Sequence, residues 1–263
     1  MSTVTHGFPH GYFVIKSIAC NRVLDVAGDE VEDSTAVLLW PEKEKSLVET
    51  LRDPEANNQV FFIDTSGALC SRSSGHAIDV QDGKPVLRHR RPVSHPYPNH
   101  YAHPLPRFSY SSSTGEITVT FECDPKYPPA SDRPSEAWKN KRYLLTSVPL
   151  RKPRTILDDA SAFISSALAS PLAFLSNVNA DKRLARPDDV FDGEIELNED
   201  EVVEEERGEE GEVDDSPDPG REVRIIGVPF NERDSALLPK ARTRRTWKVL
   251  PLRRINARTG ANT

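Results

Sequence analysis

Cysteine is scarce in this chain. Cys20, Cys70 and Cys123 are the only three in 263 residues, an odd number without close pairing, which argues against a disulfide framework. The Cys-x-x-Cys spacing of a structural zinc site is missing, and so is any Asn-x-Ser/Thr acceptor for N-glycosylation. No apolar run reaches the ~18 residues needed to span a bilayer, and the opening M-S-T-V-T-H-G-F-P-H-G lacks the basic start and apolar stretch of a signal peptide. These absences lead to the expectation of a cytoplasmic protein with reduced, buried thiols. A nuclear address is the other option, carried by the basic run Lys240–Lys248. The sequence also lacks G-x-S-x-G, a Gly-rich phosphate loop and H-E-x-x-H. It is therefore read as no enzyme, with no cofactor.

Apolar residues make up 37% of the chain and are unevenly spread. They concentrate before about Thr155, whereas the acidic residues cluster after it, so only the first part is expected to bury a sizeable core. Within that part, β-rich runs of strand length follow one another: Tyr12–Ser17, Val23–Val26, Val37–Trp40, Gln59–Asp64, Ala68–Ser71, Ala77–Val80 and Val86–Arg90. Ser66-Gly67 and Asp82-Gly83 supply turn chemistry between them. Leu47, Val48 and Leu51 lie at helical spacing in the charged stretch before Asn57. Pro92 to Pro106 holds five prolines and cannot be a sheet interior, so it is read as an irregular loop. Phe108–Tyr110, Glu116–Glu122 and Arg142–Val148 give further strands.

The order of these elements repeats. R-V-L-D-V (Arg22–Val26), A-V-L-L-W-P (Ala36–Pro41) and N-N-Q-V-F-F-I-D (Asn57–Asp64) are followed by G-A-L (Gly67–Leu69), S-G-H-A-I-D-V (Ser74–Val80) and V-L-R (Val86–Arg88). Short strands recurring every few tens of residues mark an array of one supersecondary unit. The motif resembles the R-type (ricin B-like) lectin family, and within it a fungal-type intracellular member. The family's units carry a small-apolar-Asp-Val strand, an apolar-Trp-Pro strand and a closing Gln-x-Trp. The resemblance covers roughly residues 11 to 150 and weakens along the chain; the third unit lacks a recognisable leucine-Asp-Val strand. It implies an all-β fold, a β-trefoil of three pseudo-repeats, here occupying residues 1–153.

A sugar site of this kind needs a carboxylate for two neighbouring hydroxyls, since charge-assisted bonds are the stronger ones. It also needs an aromatic face for the apolar side of the sugar and an amide for orientation. The resemblance implies Asp25 as carboxylate, Trp40 as ring and Asn58 as amide, with Gln59 as the motif glutamine. Two positions depart from the pattern: Leu38 stands where the family commonly has Gln, and Gln59-Val60-Phe61 closes with Phe in place of Trp. In the second unit Asp79 matches the carboxylate, with His89 as a weak substitute for the ring. Arg88, Arg90 and Arg91 make that surface cationic, so the unit is read as structural or as facing an anionic group. His89, His95, His100 and His103 share no helical or strand face, and no metal site is expected.

Beyond the repeats, residues 154–178 place Ile156, Leu157, Ala160, Phe163, Ile164, Ala167, Leu168, Leu172 and Leu175 at i, i+3, i+4 spacing, an amphipathic helix that would pack on the trefoil or recruit a protein partner. Residues 179–220 form an acidic linker that composition marks as disordered. Residues 221–263 form a basic tail in which 246–252 could dock as a strand. Between Tyr143–Val148 and Trp247–Leu252 as the strand closing the trefoil, the order of the chain favours Tyr143–Val148. The expected function is non-catalytic binding of a glycan through at most one site in the first repeat, with nucleic acid an improbable partner. The opposing reading is a degenerate trefoil serving as a scaffold for a protein, membrane or nucleic acid.

Overall fold

A computed structural model describes residues 4–94, 102–126, 136–148, 220–230 and 239–254. They belong to one compact unit made of residues 1–150 and 217–263, and residues 151–216 form a second unit. The amphipathic helix expected over 154–178 and, apart from Gly220, the acidic linker expected over 179–220 lie outside the described residues.

The described unit is mostly β. Its strands are β1 Tyr12–Ser17, β2 Val23–Val26, β3 Val37–Trp40, β4 Phe61–Ile63, β5 Leu69–Ser71, β6 Ala77–Gln81, β7 Lys84–Arg88, β8 Arg107–Tyr110, β9 Ile117–Thr120, β10 Lys141–Ser147, β11 Val223–Pro229 and β12 Trp247–Pro251. A six-residue helix, α1 (Pro239–Arg244), precedes β12. The Glu42–Pro54 stretch, where helical spacing was noted, yields 3₁₀ turns at Glu49–Leu51 and Pro54–Gln59. All pairings between these strands are antiparallel, and one isolated bridge, Val48↔Arg253, is parallel. One sheet runs β3-β2-β1-β4-β5-β6-β7 with β12 added on β1, and the other runs β11-β10-β9-β8.

Three hairpins, β2–β3, β6–β7 and β10–β11, have the same inward–outward register. Asp25 lies opposite Leu38, Asp79 opposite Val86 and Thr146 opposite Arg224. Because alternate strand residues face opposite sides, Leu24, Ile78 and Leu145 beside these positions all turn into one core, which also takes Val26, Leu39, Leu87, Val223 and Ile225. The hairpins meet pairwise through the backbone. Ser34 N–H donates to Leu87 O (2.9 Å), Ile225 N–H to Gly83 O (2.7 Å), and Leu39 and Arg221 exchange two bonds of 2.8 Å. The tip of β6–β7 is a two-residue turn in which both Asp82 (φ 51°) and Gly83 (φ 70°) are left-handed, the geometry that matches strand twist and favours Asp-Gly.

The strand paired with β1 is Trp247–Pro251, from Phe13↔Pro251 to Ser17↔Trp247. This corrects the expectation that Tyr143–Val148 would close the array: that segment is β10, which pairs with β9 on one side and with all seven residues of β11 on the other. Phe61, Phe108 and Trp247 begin or flank the last strand of each unit and all three are buried in the same core. Trp247 is held by its indole N–H, which donates to Leu145 O (2.9 Å), and by its backbone N–H to Gly115 O (2.7 Å). Gly115 (φ 75°) is required there, since a Cβ would come within 2.7 Å of Thr246 Cγ2.

Candidate functional site

Asp25, Leu38 and Trp40 share the outward face of β2–β3, because Trp40 pairs with Val23, two residues from Asp25, and Leu38 pairs with Asp25 itself. The 3₁₀ turn Pro54–Gln59 then brings Asn58 and Gln59 against the carboxylate. Its start is set by Asp53, whose side chain accepts from Glu55 N–H, and by Pro54 in the first turn. Asn58 Nδ2 donates to Asp25 Oδ1 (3.1 Å) and to Val26 O (3.0 Å). Gln59 Nε2 donates to Asp25 Oδ2 (2.8 Å) and to Pro41 O (3.0 Å). Asp25, Asn58 and Gln59 are all buried. Trp40 is half-buried.

Lys43 completes the group, and no motif spacing points to it. Its Nζ donates to Asn58 Oδ1 (3.1 Å) and lies 3.7 Å from Asp25 Oδ2, while its backbone N–H donates to Gln59 Oε1 (2.9 Å). Burial pushes the Asp25 carboxyl above the ordinary Asp range, opposed by the Gln59 hydrogen bond and the Lys43 ammonium. Both hydrogens of each amide are used inside the protein. The groups left at the surface are the half-buried indole and the Lys43 ammonium, while the Asp25 carboxylate lies beneath them.

The second unit is built differently. Asp79 is as buried as Asp25, but it accepts from Arg88 Nε (3.0 Å) and its own Val80 N–H (2.8 Å) and lies 2.9 Å from His103 Nε2. Burial pushes its carboxyl up, yet the His103, Val80 and Arg88 bonds outweigh that and hold it below the ordinary Asp range. The residue opposite Ala77, two positions from Asp79, is Arg88. The position of Trp40 is therefore taken by a guanidinium, and His89 sits one residue further on. His89 is turned to Asp33 instead: its backbone N–H donates to Asp33 Oδ1 (2.6 Å) and its Nδ1 lies 2.8 Å from the same oxygen. Asp79 and His89 thus belong to two carboxylate centres, joined by Arg88, whose Nη1 is 3.9 Å from Asp33 Oδ2. In the third unit the corresponding triplet is Thr146, Arg224 and Ile226.

Among the described residues, no cluster of three or more His, Cys, Asp or Glu is arranged to hold a metal ion, and no helix is long and apolar enough to cross a membrane. The three cysteines are free, and burial pushes the Cys70 thiol up to about 12 and Cys123 up to about 11.

No family model matches the sequence, and no curated protein matches it. Among solved structures, the chain is similar to the mdaA-1 domain, at 14% identity over 95% of this chain and 96% of that one, with a TM-score of 0.42. It is also similar to an earthworm lectin C-terminal domain mutant in complex with 6'-sialyllactose, at 21% identity over 56% of this chain and 83% of that one, TM-score 0.33. The earthworm R-type lectin C-half in complex with GalNAc gives 21% identity over 53% and 78%, TM-score 0.31. With all three scores below 0.5, the account of the fold rests on the strand pairing itself.

Proposed function

We propose that the chain is a β-trefoil of the R-type kind and a non-catalytic carbohydrate-binding protein, with a single site on its first hairpin. The three hairpins with matching register, meeting pairwise over one core, support the trefoil. The observation that carries the sugar reading is the common outward face of Asp25 and Trp40, with Lys43 beside the carboxylate. A half-buried indole offers flat apolar area at little entropic cost, and the Lys43 ammonium, held over the buried Asp25 carboxylate, offers donors to sugar hydroxyls. The first hairpin alone has a ring at this position. The second has Arg88 and the third Ile226, so one chain carries one site and cross-linking would need an oligomer. The free cysteines support an intracellular setting.

A second reading is favoured by one observation: the amide hydrogens of Asn58 and Gln59 are already satisfied within the protein. The Asp25 network then holds the hairpin to the following turn, and the unit is an interaction scaffold. A glycan array on the intact protein and on Trp40→Ala separates the two. Trp40 lies outside the buried network, so its loss leaves the fold in place. Binding that disappears in Trp40→Ala supports the lectin; a blank array for the unaltered chain leaves the scaffold.

A further inference from the structure

Two clefts border the second hairpin and share Arg88, His103, Pro104 and Pro106. The larger, of about 300 Å³, is lined by Arg88, Arg90, Arg91 and Arg107, with Glu122 the one lining carboxylate among the described residues, and by apolar Val93 and Leu105. The other carboxylates that hold these guanidinium groups stand behind them. Asp33 binds Arg91 (2.6 Å) and His89 and approaches Arg88; Asp64 pairs with Arg90. The side chains of Arg90 and Arg91 are 45% and 41% exposed, whereas those of Asp64 and Asp33 are 14% and 21%. Arg90 and Arg91 therefore line the cleft while their carboxylate partners are shielded, whereas Arg88 is taken up by Asp79 and Arg107 by Glu122. The ion pairs of Arg90 and Arg91 with Asp64 and Asp33 run through Nη2, as does the Arg90 contact with Cys70 Sγ. A guanidinium has five N–H donors in a rigid fork, so Nε and Nη1 of each remain for a ligand. The cleft walls are fixed by prolines and by the turn at Ser66 and Gly67, whose amides are engaged with Asp64.

We infer that this cleft binds a small ligand through an oxyanion, carboxylate or phosphate, gripped by Arg90 and Arg91. Planar, already oriented guanidinium groups suit such anions better than flexible ammonium groups do. The carbohydrate site of the first hairpin plays no part in this, and either can fail alone. The matched sugars glucuronate and glucose differ in the carboxylate, and inorganic phosphate supplies the oxyanion without a sugar. Each is titrated into the full-length protein while the ¹H–¹⁵N signals of Gly67 and Ala68 and the side-chain Nε–H signals of Arg90 and Arg91 are followed. Glucuronate, phosphate or both are expected to shift these signals to saturation, glucose is not, and Arg91→Gln is expected to weaken the response at least tenfold. Saturation by phosphate alone makes phosphate the source of the oxyanion; saturation by glucuronate alone makes it a sugar acid. Arg90→Gln provides the second variant, read only where its melting curve matches that of the unaltered protein. Saturation by glucose equal to that by glucuronate, no saturation with either anion, or an undiminished response in Arg91→Gln overturns the assignment.

Discussion

Asp25 and Asp79 occupy the same place in two hairpins, yet their surroundings drive their acidities in opposite directions. Asp25 faces two amides and a partly exposed ammonium, too little to offset burial, so its carboxyl is raised. Asp79 has Arg88 and His103 at bonding distance and is lowered. In the unfolded chain both would titrate near ~3.9. The Asp79 contribution is present above that pH and is lost as the pH falls through its folded-state value; the Asp25 contribution is present below it and is lost as the pH rises through its own. Asp79→Asn is therefore expected to cost about 3–5 kcal/mol at neutral pH, the usual result of stranding a buried cation, and progressively less in acid. Asp25→Asn is expected to show the reverse trend, with its largest cost in acid. Urea midpoints for both variants across the acid range check this, and parallel trends would contradict it. Sequence alone marked Asp25, Asn58 and Gln59 because their order is local to one unit. It did not mark Lys43, which lies in a stretch without periodicity, it named His103 only in weighing a metal site, and it placed the second-unit ring position one residue late, at His89 in place of Arg88, because register depends on pairing that spacing does not reveal.

At the scale of elements, the third repeat was hard to read for two reasons. Its strand puts Thr146 where the others have Asp, and residues 148–222 separate β10 from its hairpin partner β11. Its closing motif reads Arg245-Thr246-Trp247, with a buried arginine in the place of Gln59; burial pushes that guanidinium down to about 10. The strands of the first two units were legible because β-branched runs and turn residues alternate there without interruption. The pairing implies that the last residues belong to the core. Trp247→Ala is expected to cost about 3–5 kcal/mol, as removal of a large buried ring does. A chain ending at Pro153 loses β11 and β12 together, leaves β1 and β10 with unpaired edges, and is expected not to fold cooperatively. Circular dichroism with thermal melting reads both, and a cooperative transition in the shortened chain would refute the assignment of β12 as the closing strand.

For the whole molecule, the net charge of −7 conceals a division. Residues 151–216 hold 19 of the 41 acidic and 7 of the 34 basic residues, a net of −12, so the remainder carries +5. In the chain the acidic segment is inserted between β10 and β11. Replacing residues 151–216 by a Gly/Ser linker of about six residues shortens the 148–222 connection about fivefold, which should stabilise the hairpin by ~1.4 kcal/mol, since closure entropy falls with the logarithm of loop length. The same replacement should invert the response to salt. In the intact chain opposite charges attract, and raising NaCl from about 20 mM to about 500 mM shortens the Debye length from over 20 Å to under 5 Å, so the melting temperature should fall. In the shortened chain a surplus of like charge repels itself, and screening should leave the melting temperature unchanged or raise it. Melting curves of the two proteins across that range decide the matter: salt responses of the same sign would mean that the acidic segment and the folded unit do not feel each other's charge, whereas opposite signs establish that the chain neutralises its own basic surface.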